Sequence, residues 1–145
     1  MVQNDEQSQR IATVLGDLSE ENYDRCMERF YQHLCASLLL PCDVTGIEDF
    51  EWEEIYVIGP GDPAEYQQFR LTKPSYKDRF ELLEIEKDVD SEWIMFRHED
   101  LGAHVRRKSD RKEFRLGLSE IKAVGKDSLN KRLLNDYSTW FVNNR

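Results

Sequence analysis

A chain of 145 residues with 39% hydrophobic and 11% aromatic residues is one cored domain by length, and it does not have the composition of a disordered chain. Its 29 acidic residues against 20 basic ones give a formal charge of −9, which argues against nucleic acid and anionic membrane as partners and favours cations or basic proteins. No apolar run approaches the ~20 residues of a membrane span, and three cysteines without a C-x-x-C pair suit a reducing compartment, so a soluble cytoplasmic protein is expected.

The opening, MVQNDEQSQR, is polar, with a short apolar set at Ile11, Val14, Leu15 and Leu18 spaced for a helix. It is taken as a polar N-terminal arm, 1–18, ahead of a single domain, 19–145. Ser19 followed by Glu20 and Glu21 reads as a helix cap with acids in the first turn. Tyr23, Cys26, Met27, Phe30, Leu34 and Leu38 then recur at helical spacing, predicting a long helix from Glu20 towards Leu39 that Pro41 ends.

Beyond Pro41 the pattern shortens. CDVTGI and FEWEEIYVI read as two strands with Gly46 near the turn, the second placing Glu51 and Glu53 on one face. Asp62, Pro63 and Glu65 form a capping signature for a short helix to about Leu71. RFELLEIE, EWIMFRH and AHVRRK read as strands, KEFRLGL closes a hairpin across SDR, and LSEIKAV adds a short piece. Strands at this spacing predict a small SH3-like β-barrel. Leu129, Leu133, Leu134, Tyr137, Trp140 and Phe141 return to helical spacing behind Ser128, a second candidate cap, and predict a C-terminal amphipathic helix. The expected class is α+β: a long N-terminal helix, a small barrel and a C-terminal helix.

Charge is segregated along the chain. From Phe30 to Phe69 there is no Lys or Arg, while eight acids fall in that interval. Asp43, Glu48, Asp49, Glu51 and Glu53 form the candidate metal set, because hard cations such as calcium take six to eight oxygen ligands and crowded carboxylates gain from a positive guest. The competing reading makes Glu51 and Glu53 the wet face of a strand. Asp88, Asp90, Glu92 and Glu99 imitate an EF-hand count, but Trp93 stands where that loop needs Gly, so the EF-hand is rejected. In the other direction, Arg106, Arg107, Lys108, Arg111 and Lys112 form a basic hairpin suited to an acidic protein partner or to self-association, or simply a charged tip that keeps a sheet edge from aggregating.

Catalytic signatures are sparse. His33, His98 and His104 come with no nucleophile elbow, zinc-protease pair or phosphate loop. Asp110, Glu120 and Lys122 could imitate a nuclease set. Cys26, His33, Cys35 and Cys42 lack the paired-ligand turn of structural zinc sites. No enzyme is expected.

Two stretches carry a family likeness. FYQHLCASLLLPCDV, Phe30 to Val44, is a helix exit through Leu-Leu-Pro into a first strand, and FRLGLSEIKAV, Phe114 to Val124, is a strand ending in a Leu-x-Leu turn and a closing strand. Both resemble the small cyanobacterial calcium-binding protein family of heterocyst regulation. The resemblance implies an N-terminal helix on a compact barrel-like core, weak calcium binding by surface acids, and a regulatory role. It assigns no ligand residue, and GPGDPAEYQQFRLTKPSYKD and DYSTWFVNNR depart from the pattern. The alternative is a protein-interaction module that uses the basic hairpin or the C-terminal aromatic helix, without metal.

Overall fold

A computed structural model describes residues 2–16, 23–126 and 128–144. The cap expected at Ser19 to Glu21 lies outside the described residues, as does the side chain of Ser128. Helices α1 (Val2–Leu15) and α2 (Tyr23–Ser37) precede strand β1 (Cys42–Gly46). A 3-10 turn (Glu51–Glu53) runs into α3 (Glu54–Val57), and α4 (Pro63–Arg70) follows. Then come β2 (Phe80–Glu86), β3 (Gly102–Arg107), β4 (Glu113–Gly117), a second 3-10 turn (Leu118–Glu120), β5 (Ile121–Ala123) and α5 (Ser128–Asn144).

The class is α+β, with a five-stranded antiparallel sheet in the order β4-β3-β2-β1-β5. The sheet is open. β4 and β5 are its two edges and do not pair with each other, so the sheet is not closed into the small SH3-like barrel expected from the strand spacing. Instead the helices cover one face. Cys26, Phe30 and Leu34 of α2 are buried, as the helical spacing predicts. From α5, Leu133, Leu134, Tyr137, Trp140 and Phe141 pack inward. Phe30 lies between the two helices, its ring 5.0 Å from Trp140 and edge-on to Tyr137 at 5.7 Å. The sheet contributes Val44, Phe80, Leu82, Ile85, Ala103, Val105, Leu116 and Ile121 to the same core.

β2 shows how sequence becomes register. Leu82 and Ile85 are both buried although three residues apart, and the pairing with β3 shifts between Leu82 and Glu84. An extra residue there resets the alternation, so a double-leucine run stays compatible with a one-sided strand. α4 forms where the capping signature places it, with Asp62 accepting from the Ala64 N–H and Pro63 opening the helix.

Two expected strands are absent. FEWEEIYVI is the 3-10 turn and α3, a helical path on which Trp52 and Tyr56, four apart, meet edge-on at 6.1 Å. EWIMFRH is a run of turns: the Ile94 N–H reaches Ser91 O, the Glu99 and Asp100 N–H groups reach Phe96 O, and Ser91 Oγ accepts from the Trp93 N–H. Such local bonds satisfy the backbone without a ladder. Trp93, Ile94 and Phe96 are apolar for burial in the core, not for strand pairing.

Arg107 at the end of β3 ties the sheet to the 70–78 loop. Its guanidinium is 3% exposed, pairs with Asp110 (2.8 Å) and Asp78 (2.9 Å), and donates to the carbonyls of Arg70, Leu71 and Lys73. Arg107→Met removes all of these, leaving Asp78 with Arg70 alone and Asp110 without its cation. A loss of about 3–5 kcal/mol, the cost of breaking a buried pair from one side, is expected in urea unfolding; a loss under ~1 kcal/mol would show that the loop is held by other contacts.

Candidate functional site

The helical path of residues 51–57 decides where the acids go. On a strand, Glu51 and Glu53 would share a face; on a helical turn, residues two apart lie on roughly opposite sides. Glu53 points inward and is completely buried. Its Oε1 accepts from the Tyr76 N–H (2.8 Å) and the Phe50 N–H (3.3 Å), and its Oε2 accepts from Ser75 Oγ (2.6 Å) and Tyr66 Oη (2.5 Å). This carboxylate is committed to holding the 50–76 region together. Asp43 faces solvent on β1 and pairs with Lys108 Nζ at 2.9 Å. Neither of these two candidates lies with the other three.

Glu48, Asp49 and Glu51 line a cleft of about 380 Å3, together with Glu54 and Glu120. Its walls come from the loop after β1, the 95–96 turn, the second 3-10 turn and α5. Glu48, Asp49, Glu51 and Glu54 have no basic partner among the described residues. Ser138 of α5 also lines this cleft, and its buried Oγ has no hydrogen-bond partner. Five acidic residues and Ser138 thus line a single cleft.

Beneath the cleft sits a second carboxyl. Asp100 is buried and accepts from Ser119 Oγ (2.6 Å), the Ser119 N–H (3.3 Å) and Tyr137 Oη (2.7 Å). Burial pushes Asp100 up to about 6, against those hydrogen bonds. Burial likewise pushes Glu120 up to about 7, and the charges of Asp100 and Glu51 add to the effect. Both groups crowd Gly117, where a Cβ would lie 2.4 Å from Glu120 Oε2 and 2.6 Å from Asp100 Oδ2. Only glycine leaves room for two carboxylates there.

Other candidate sets disperse. His98 lines a different cleft with Asp24, Glu99 and Asp88, while His104 lies on the sheet with Nε2 2.6 Å from Glu113. Asp110 is held by Arg107, Glu120 faces the acidic cleft, and Lys122 lines a third cleft. Cys26, Cys35 and Cys42 form no disulfide and differ in burial. Among the described residues, the one set of three or more His, Cys, Asp or Glu side chains with ligand atoms all within 4.8 Å of one another is Glu84, Glu86 and His104 on the sheet face; the acids of the cleft do not come this close as a set. Arg115 pairs with Glu86 there at 3.1 Å and Glu113 with His104, so the set is already part of an ion-pair ladder.

Of the basic hairpin residues, Arg107 is turned inward. Lys108 bonds Asp43, Arg106 lies 3.6 Å from Glu81, Lys112 Nζ donates to the Leu71 carbonyl, and Arg111 is exposed. Sequence reasoning left Glu54, Glu120 and Ser138 out of the metal set. Glu120 falls beside Lys122 in the sequence, and Ser138 interrupts an apolar helical stripe. That interruption was the available signal.

The molecule is thus an α+β domain with an open antiparallel sheet and an acidic cleft at its helix-covered side. Sequence comparison matches no family model and no curated protein. The fold, however, is shared with solved structures. Anabaena CcbP superposes with a TM-score of 0.59 at 16% identity, over 94% of this chain and 89% of that one. A calcium binding protein in its calcium-binding form superposes with a TM-score of 0.57 at 16% identity, over 94% and 90%. The resemblance noted at Phe30–Val44 and Phe114–Val124 is therefore present at the level of the fold. Among the described residues no helix is long and apolar enough to cross a membrane.

Two measurements check this geometry. Glu53→Gln replaces an acceptor oxygen with an amide NH2 and strands part of a four-donor set; a stability loss of about 2–4 kcal/mol is expected, and an unchanged urea midpoint would contradict the burial. The raised carboxyls bind protons in the folded state that the unfolded chain has already released. Their stabilisation is full below the unfolded pKa and is lost as pH rises through about 6 for Asp100 and about 7 for Glu120. The metal-free melting temperature should fall between about pH 4 and 7 and level off above, and Glu120→Gln should recover roughly 2 kcal/mol at pH 8 while changing nothing at about pH 4. A variant equally stable to wild type at both pH values would refute this.

Proposed function

We propose that this protein is a non-enzymatic calcium-binding domain with a regulatory role, and that Glu48, Asp49, Glu51, Glu54 and Glu120 hold the ion, with Ser138 Oγ at the cleft wall. The observation that carries this reading is that five acidic residues lacking cationic partners among the described residues line one cleft, with Ser138, whose buried Oγ has no hydrogen-bond partner, in its wall. The donor set is all oxygen, as hard divalent cations require. Bound calcium would offset the mutual repulsion that helps to raise Glu120. The shared fold with a calcium binding protein supports the reading. Asp43 and Glu53 drop out of the ligand set because Lys108 and the Tyr66–Ser75–Tyr76 donors already engage them. Three cysteines that form no disulfide support a reducing, cytoplasmic setting.

A second reading keeps the basic hairpin as a protein-docking tip, through Arg106, Lys108, Arg111 and Lys112. The aromatic face of α5 does not serve that reading, since Tyr137, Trp140 and Phe141 are core residues.

Calorimetry and thermal melting with calcium chloride in low salt separate the two. Calcium at a hundredfold excess over its dissociation constant should add ~2.7 kcal/mol of stability. The Glu51→Gln, Glu120→Gln double variant should abolish the gain, and Asp43→Asn should leave it intact. Neither heat nor a melting shift at millimolar calcium would remove the calcium reading and leave the hairpin as the functional surface.

A further inference from the structure

A second group of cations lies away from the hairpin. Arg10 of α1, Arg79 before β2, Lys122 of β5, and Lys131 and Arg132 of α5 line a cleft of about 650 Å3. It shares no lining residue with the acidic cleft. Elsewhere Arg70, Lys87, Arg97, Arg106, Arg107, Lys108 and Arg115 each lie against a carboxylate. Here only Arg10 does, through a fork onto Asp136 at 2.8 and 3.0 Å. Among the described residues, Arg79, Lys122, Lys131 and Arg132 have neither an ion-pair nor a side-chain hydrogen-bond partner.

Local structure gives no reason for this arrangement. Lys131 and Arg132 fall within the first five residues of a 17-residue helix whose first turn has no acid. Cations there oppose the helix dipole, which favours negative charge at that end. Four unneutralised cations facing one space, two of them beside a positive helix end, form an environment that an anion relieves.

We propose that this cleft binds a small polyphosphate-class anion: two or more linked phosphate groups, free or as the tail of a nucleotide. Guanidinium forks match paired phosphate oxygens, and Lys supplies point charge beside them. The volume falls in the range of small-ligand pockets. No aromatic ring lines it among the described residues, so it lacks the stacking platform that single-stranded nucleic acid uses, and the overall charge of −9 repels a long polyanion.

The test is calorimetry on the full chain in calcium-free, low-salt buffer, with sodium tripolyphosphate, ATP without divalent cation, and a glutamate oligomer as three separate probes. Tripolyphosphate should bind once per chain, and Lys122→Gln with Arg132→Gln, both exposed positions, should weaken it at least tenfold. Lys108→Gln with Lys112→Gln at the hairpin should leave it unchanged. ATP binding equal to tripolyphosphate assigns recognition to the phosphates alone, and tighter ATP binding assigns a nucleotide source; both support the proposal. No tripolyphosphate binding, binding indifferent to the cleft variants, or preference for the glutamate oligomer would overturn it. Because calcium is absent throughout, the outcome is independent of the acidic cleft.

Discussion

The Asp100 carboxylate joins the two layers of this fold. It sits at the entry to β3, accepts from Ser119 in the second 3-10 turn and from Tyr137 in α5, while the Leu101 N–H donates onward to Tyr137 Oη. Tyr137 in turn stacks on Phe141 and meets Phe30 edge-on. One buried carboxyl thus fixes how α5 lies on the sheet and how the 118–120 turn leaves β4. A hydrocarbon could fill the same volume, but it could not orient donors from two separate elements. The position of Glu120 follows from that anchoring, and so does the shape of the acidic cleft.

Buried carboxyls elsewhere follow the same logic. Glu53 serves the 50–76 region as Asp100 serves the sheet: each is surrounded by donors and removed from solvent. The remaining acids divide by partner. Asp43, Asp78, Asp110 and Asp136 have cations. Glu48, Asp49, Glu51 and Glu54 have none among the described residues. Acid count along the chain is therefore a poor guide to a cation site. What matters is which carboxylates the fold leaves without a cation while still holding them close, and that depends on where Arg107 and Lys108 are turned.

Much of the fold was legible in the sequence because its signals were local. The stripe of α2, the Asp62-Pro63 cap of α4 and the apolar positions of α5 each depend on spacing within a few turns, and each element forms. The failures occur where burial and backbone pairing part company. Aromatic residues at 50–58 and 93–96 look strand-like because they are bulky and apolar, yet their backbones close local turns. That error carried into the site, since a period of two put Glu51 beside Glu53 when a helical turn sends one to the cleft and one to the core. The barrel was over-read for a related reason: losing EWIMFRH as a strand, the sheet keeps two free edges. Glu120 and Ser138 could not be found by adjacency, because only tertiary packing brings the 118–120 turn and α5 to the loop after β1.

The short stretch from Gly117 to Lys122 shows how a small fold keeps opposite charges apart. Gly117 leaves space for two carboxyls, and the 3-10 turn directs Glu120 into the acidic cleft. Two residues later, β5 pairs with β1 through Lys122 and Thr45, and Lys122 lines the cationic cleft instead. On a regular strand the two side chains would share a face and neutralise one another. Changing from a 3-10 turn to a strand between them rotates one away from the other. The rotation prevents an acid and a base two residues apart from forming a simple surface ion pair, so each contributes its charge to a separate cavity. The segregation of charge that the sequence shows over tens of residues is thus repeated within six, by a change of backbone geometry rather than by composition.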